Sequence, residues 1–195
     1  MRTVKCNLKE ESVVKHVKVF LADGFEEIEG LTAVDLLRRA GVGVDMVSVT
    51  GRLGISGSHG IRVEADVLFE EADYDEADML VLPGGMPGTV HLQEHQGLKE
   101  LLEDFYSREK YIAAICAAPS ILGGLGFLKG RRACSYPSKE NELTGAEVVR
   151  TPVAVDGNII TSRGMGTAIP FSLELISILC GAEKSDAVRE SIIFE

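Results

Sequence analysis

The stretch Tyr111-Ile112-Ala113-Ala114-Ile115-Cys116-Ala117-Ala118-Pro119-Ser120-Ile121-Leu122-Gly123-Gly124 decides the fold. An apolar run of strand length passes directly into a cysteine and then into a small-residue segment, 117–124, that reads as a helix. A strand buried on both faces of a parallel sheet is continuously apolar rather than alternating. A cysteine between such a strand and a helix sits on a tight turn that lifts its side chain clear of the sheet. That turn needs small neighbours, and Ala114, Ala117 and Ala118 supply them. A helix start beneath the sulfur would offer partial positive charge and free N–H groups, both favouring thiolate over thiol. The same pattern also fits a buried, inert cysteine packed as a small apolar side chain.

Working outward, the same strand–helix alternation recurs. Residues 17–22 form a short β-rich run that stops at the turn signal Asp23-Gly24. Residues 27–40 place Ile28, Leu31, Val34 and Leu37 at helical spacing, with Arg38-Arg39 in the last turn and Gly41 just beyond. A second strand is read at 44–49 and a small hairpin around Ser58-His59-Gly60. Residues 78–83 are a buried strand running into Gly84-Gly85, and 96–109 an amphipathic helix with Leu98, Leu101, Leu102 and Phe105 inward. Further strands are read at 132–135, 153–155 and 158–162, and a long helix at 167–180. Strands and helices in this order predict an α/β domain with a mostly parallel central sheet covered by helices on both faces. Sites in such sheets form at the carboxyl ends of the strands. The turns after 22, after 82 and at Cys116 should therefore converge.

A chain of 195 residues suits one domain, read here as 17–195 behind a polar extension, 1–16. The formal charge of −10 repels phosphate backbones and anionic lipid, so neither nucleic acid nor membrane is expected as a partner. Cys6, Cys116, Cys134 and Cys180 contain no C-x-x-C pair, a poor disulfide framework and a poor zinc site. With no apolar leader, a cytoplasmic location is expected. Cys134 and Cys180 read as core, Cys6 as exposed. His91-Leu92-Gln93-Glu94-His95 satisfies a metalloprotease pattern, but five-residue matches recur by chance and the helix there would be short. No metal is expected.

Four segments together resemble the ThiJ/PfpI superfamily, in the branch that contains the human parkinsonism-associated deglycase (DJ-one) and its bacterial relatives. They are 21–29 (Leu-Ala-Asp-Gly-Phe-Glu-Glu-Ile-Glu), 81–85 (Val-Leu-Pro-Gly-Gly), 113–119 around Cys116, and 161–167 (Thr-Ser-Arg-Gly-Met-Gly-Thr). The resemblance spans residues 17 to 190. It implies a flavodoxin-like three-layer sandwich, class I glutamine amidotransferase-like, forming homodimers, with an easily oxidised nucleophilic cysteine and no cofactor. Carried over residue by residue, it makes Glu29 a carboxylic acid that keeps its proton and donates a hydrogen bond to the sulfur. Burial beside an anion supplies the physical reason. Gly84 and Gly85 become the loop whose N–H groups face the sulfur, forming an oxyanion hole with Ala117 N–H. On local sequence alone these are a tight turn, and Glu29 a solvated helix-start carboxylate, the role expected for Glu26 and Glu27.

The chain departs from the family pattern at informative places. Ala117 follows the cysteine where protease-like members have histidine, and no histidine occurs after His95, so neither a protease nor a glutaminase is expected. Tyr136 stands where the human-type protein has a pocket histidine, and a phenol is not a neutral base near pH 7. His59 stands where that protein has an arginine, at the pocket rim or in open solvent. Arg163 reads as structural. The resemblance implies action on small reactive aldehydes or their glycated amine and thiol adducts. A redox-responsive chaperone or stress sensor is the alternative. Thiamine-precursor metabolism, which the family name suggests, finds no phosphate-cradling Gly-rich loop with lysine.

Overall fold

A computed structural model describes residues 14–195. Cys6 and most of the expected extension lie outside the described residues. Strand β1 (His16–Leu21) already includes the residue assigned to the end of that extension. Lys15 anchors the entry by pairing with Asp78 at 2.9 Å.

The elements follow in the order α1 (Glu27–Arg39), β2 (Gly43–Ser48), β3 (Gly54–Ser56), β4 (Arg62–Glu64), β5 (Val67–Leu68), β6 (Met79–Leu82), α2 (Gly88–Glu94), α3 (Gln96–Ser107), β7 (Tyr111–Ile115), α4 (Pro119–Gly124), β8 (Arg132–Ala133), β9 (Glu147–Val148), β10 (Val153–Asp156), β11 (Ile159–Ser162), α5 (Ala168–Cys180) and α6 (Ala182–Ser191). Seven strands form the central sheet in the order β10-β11-β7-β6-β1-β2-β5, parallel except for the β10–β11 hairpin. Val17, Val19 and Leu21 point to the face covered by α1, α5 and α6, and Phe20 and Ala22 to the face covered by α2, α3 and α4. The α/β architecture expected from the alternation is thus the observed one.

Three local expectations change. The helix after Cys116 starts only at Pro119, because Cys116 adopts a left-handed backbone (φ 65°) and residues 116–118 form the turn itself. The run at 132–135 contributes only two residues, and these pair with β9 outside the main sheet. The region after the β3–β4 hairpin supplies a seventh strand, β5, which pairs with β2.

The register of the sheet builds the site. β6 and β7 pair Leu82 with Ala114, so two residues further on Gly84 lies level with Cys116. β7 and β11 pair Ile115 with Ser162, and Cys116 N–H continues the ladder to Ser162 C=O at 3.0 Å. The chain progresses from β1 to one edge through β2, and to the other through β6, β7 and β11. The crevice at such a reversal, beyond the carboxyl ends of the strands, is where open α/β sheets place their ligands.

Candidate active site

Cys116 is half-buried at the end of β7, with its positive φ imposed by both neighbours. Its N–H is tied to Ser162 and its C=O accepts from Tyr136 N–H at 2.8 Å, so the turn is clamped on both sides. A non-glycine residue in this region is strained, and such strain persists only where the surroundings over-determine it.

Glu29, in the first turn of α1, reaches the same point from across the sheet end and is 1% exposed. Its Oε2 accepts from Gly84 N–H at 2.9 Å, while its buried Oε1 has no hydrogen-bond partner among the described residues. A β-carbon on Gly84 would lie 2.6 Å from Cys116 Cβ and 2.7 Å from Glu29 Oε2, so only glycine fits between the two groups. A β-carbon on Gly164 would stand 3.9 Å from both Cys116 Sγ and Glu29 Oε1, which locates thiol and carboxyl around one small space. Gly164, quoted in the sequence only as part of a motif, is thus a site residue. The available signal was a glycine one position past a strand-ending Ser-Arg pair.

Two expectations about donors divide. The N–H groups of Gly85 and Ala117 do point to the sulfur. That of Gly84 does not, being spent on Glu29. Tyr136 is half-exposed with its ring against Gly164, at the mouth of the same space. His59 is not drawn to the sulfur; its ring nitrogen contacts Glu26 and Glu27. Those two carboxylates also depart from the solvated role expected for them. Glu27 is 2% exposed, and Oε1 accepts from the N–H groups of His59 and Ile61. Burial alone would raise its pKa, but these backbone donors and the His59 ring outweigh it and hold the group at about 2. Arg163 faces Glu140 at 3.8 Å. His95 accepts from Leu98 N–H as the cap of α3, and His91 contacts Asp23 C=O, so the H-x-x-E-H residues serve local structure.

The electrostatics of the pair revise the expectation of a resting thiolate. Burial pushes the Glu29 carboxyl up to about 7, against hydrogen bonds that favour its charged form. Burial also pushes the Cys116 thiol up to about 12, reinforced by the negative charge of Glu29. The Ala117 and Gly85 N–H groups pull the other way without prevailing. The pair therefore loses one proton near neutrality and holds the second strongly. The turn's short, six-residue α4 does not overcome the loss of solvation that the expectation left out.

Residues 15–178 match the DJ-1/PfpI family. The chain belongs to the DJ-1/PfpI family. It is 37% identical over 181 residues to protein dj-1beta of Drosophila melanogaster, covering 92% of this chain and 97% of that protein. It is 38% identical over 166 residues to a deglycase of Pyrococcus abyssi, covering 84% of this chain and 98% of that one. Protein DJ-1 homolog A of Arabidopsis thaliana is 38% identical over 93% of this chain, but the chain spans only 47% of that relative, about half its length. The crystal structure of Drosophila DJ-1beta superposes with a TM-score of 0.90 at 36% identity, over 94% of this chain and all of that one. The flavodoxin-like fold is therefore that of the family.

A carboxyl held neutral by burial destabilises the folded state once it must ionise. The cost of Glu29 is absent below its unfolded pKa, grows as pH rises from about 4.5 to about 7, and then stays constant. Glu29→Gln should gain stability relative to the parent by roughly 3 kcal/mol more at pH 8 than at pH 4, read by urea unfolding. An unchanged difference between the two pH values would mean that Glu29 ionises freely in the folded protein.

Proposed function

We propose that the protein is a cofactor-free glyoxalase or deglycase, in which Cys116 attacks the aldehyde carbon of an α-oxoaldehyde or of its early adducts on amines and thiols. The observation that carries this reading is the unpartnered Oε1 of Glu29, buried beside the same space as the thiol. A carboxylate oxygen without a donor, next to a thiol that burial keeps protonated, is positioned to take that proton as the sulfur attacks.

With methylglyoxal, the S–C bond forms as the thiol proton passes to Glu29. The aldehyde oxygen becomes an oxyanion held by Gly85 and Ala117 N–H, then takes the proton back to give a hemithioacetal. Glu29 next removes the hydrogen on that carbon, and protonation of the adjacent carbon turns the intermediate into a lactoyl thioester. Water cleaves the thioester, restoring the thiol and releasing lactate. The sum is methylglyoxal plus one water, an internal redox with no outside oxidant. For an adduct, the amine or thiol leaves from the same carbon. The deglycase of Pyrococcus abyssi is consistent with this class. Tyr136 at the mouth supplies a donor but no neutral base, which leaves Glu29 as the base at the reacting atoms.

The base form of Glu29 appears as the pair loses its first proton near 7. The rate at limiting substrate should therefore rise with pH through about 7 and then level, and Cys116→Ser should lower it by at least about a thousandfold. Lactate release followed by enzymatic assay across pH 5 to 9 checks both. Equal turnover by parent and Cys116→Ser would remove the reading.

A second use of the same sulfur has its own support. Gly164 leaves open space beside Sγ, and Gly85 N–H, Ala117 N–H and a protonated Glu29 would each donate to a sulfinate. Two equivalents of peroxide would each transfer one oxygen to sulfur and leave as water. Intact-protein mass spectrometry after mild peroxide should find a two-oxygen gain, which peptide mapping places on Cys116 and not on Cys6, Cys134 or Cys180. Oxidation spread evenly over the cysteines would count against this sensor role.

The proposed assembly is a homodimer in a reducing, cytosolic compartment. The free state of the described cysteines supports the compartment. An apolar face with Ile28 50% exposed and Ile61 53% exposed, continuous with Leu31, Ile169 and Ile192, supports the dimer. Sedimentation velocity should give a dimer for the parent and a shift to monomer for Ile28→Glu. A parent that stays monomeric at tens of micromolar would discard it.

A further inference from the structure

The tip of the β3–β4 hairpin folds over the start of α1 and brings four donor atoms together outside the thiol site. Ser58 Oγ lies 3.1 Å from Glu26 Oε2, 3.2 Å from Glu27 Oε2 and 3.0 Å from His59 Nδ1. His59 Nδ1 lies 3.4 Å from Glu26 Oε2 and 3.2 Å from Glu27 Oε2. The hydroxyl carries one hydrogen and Nδ1 at most one, so most of these five contacts set lone pair against lone pair. Something positive at the centre would turn each of them favourable.

The charge balance gives independent support. Glu27 is 2% exposed and the Glu26 side chain 13% exposed, yet among the described residues neither meets a lysine or arginine within ion-pair distance. The imidazole of His59, 71% exposed, is the one basic side chain within that distance of them there. Backbone N–H groups compensate Glu27 through Oε1, and a cation at the cluster would compensate the two Oε2 atoms that face it. Glu27 is also built for ligation: its Oε1 is held by His59 N–H at 2.8 Å and Ile61 N–H at 3.3 Å, which turns Oε2 to the cluster.

The dimensions select the ion. Bonds of about 2.0 Å at tetrahedral angles give ligand–ligand edges of about 3.3 Å, the spacing of zinc sites with nitrogen and oxygen donors. The five measured edges run from 3.0 to 3.4 Å. Calcium or magnesium would need more oxygens at wider or octahedral spacing, and neither favours an imidazole.

We propose that Glu26, Glu27 and His59, with the Ser58 hydroxyl as fourth donor, form a zinc-class divalent cation site that pins the β3–β4 hairpin to the N-terminus of α1. The site lies on the same first turn as Glu29 but uses none of the atoms around Cys116. It is independent of the reaction proposed above.

The test uses the full chain freed of metal with a chelator, in the Cys116→Ser background so that the reactive thiol cannot compete. Calorimetric titration with zinc sulfate should find one equivalent bound at micromolar concentrations. Cobalt(II) in its place should develop the intense visible bands of tetrahedral coordination. Zinc should raise the melting temperature. His59→Ala and Glu26→Gln, checked for native circular dichroism, should each weaken binding by about tenfold or more and abolish the melting shift. Because the His59 ring is mostly exposed, its removal leaves the fold in place. Binding that survives His59→Ala unchanged, weak octahedral cobalt bands, or no binding at micromolar zinc would each overturn the site.

Discussion

The whole site depends on a carboxyl, Glu29, buried against a thiol with one oxygen satisfied and the other left bare. Gly84 N–H holds Oε2, which fixes the carboxyl plane. Among the described residues Oε1 has no hydrogen-bond partner, so the Gly84 N–H and the proton shared with Cys116 offset the cost of its burial only in part. That arrangement costs stability as pH rises from about 4.5 to about 7, and perturbed groups of this kind cluster at functional sites. The same burial that raises Glu29 also raises the sulfur, which fits the proposed reaction, in which the proton moves during attack.

The geometry follows from sheet register. Parallel pairing of β6 with β7 sets Gly84 level with Cys116, and pairing of β7 with β11 ties the cysteine's N–H to Ser162. The left-handed backbone at Cys116 then turns the chain before α4 begins. Gly84 is the residue that lets the two chemical groups approach, since any side chain there would occupy the contact itself. Packing on both faces, by Leu37 and Phe171 on one side and Leu102 and Phe105 on the other, makes this crevice stiff enough to hold strain.

Much of this was legible in the amino-acid order. The apolar run ending at Cys116 and the Gly84-Gly85 turn announce a buried parallel sheet with its site at one end, because burial on both faces leaves no polar alternation. Glu29 is different: nothing in its local sequence separates it from Glu26 and Glu27, and only the family resemblance singled it out. Its burial comes from β6 and β7, far along the chain. Glu27 misled for the same reason, since the hairpin residue that covers it, His59, is 32 residues away. The sulfur reads differently in sequence and in structure, because helix-end charge is visible in sequence while desolvation by distant segments is not. Strand β8 is shorter than the strand read at 132–135, and its two residues pair with β9 outside the main sheet.

The most direct measurement is an ultraviolet titration of the Cys116 thiolate in the parent and in Glu29→Gln, with Cys6, Cys134 and Cys180 replaced by serine in both. If the carboxylate charge and its proton govern the sulfur, removing that charge should bring the thiol's ionisation down by at least about one pH unit. Identical titration curves for the two proteins would contradict the coupling on which the account of this site is built.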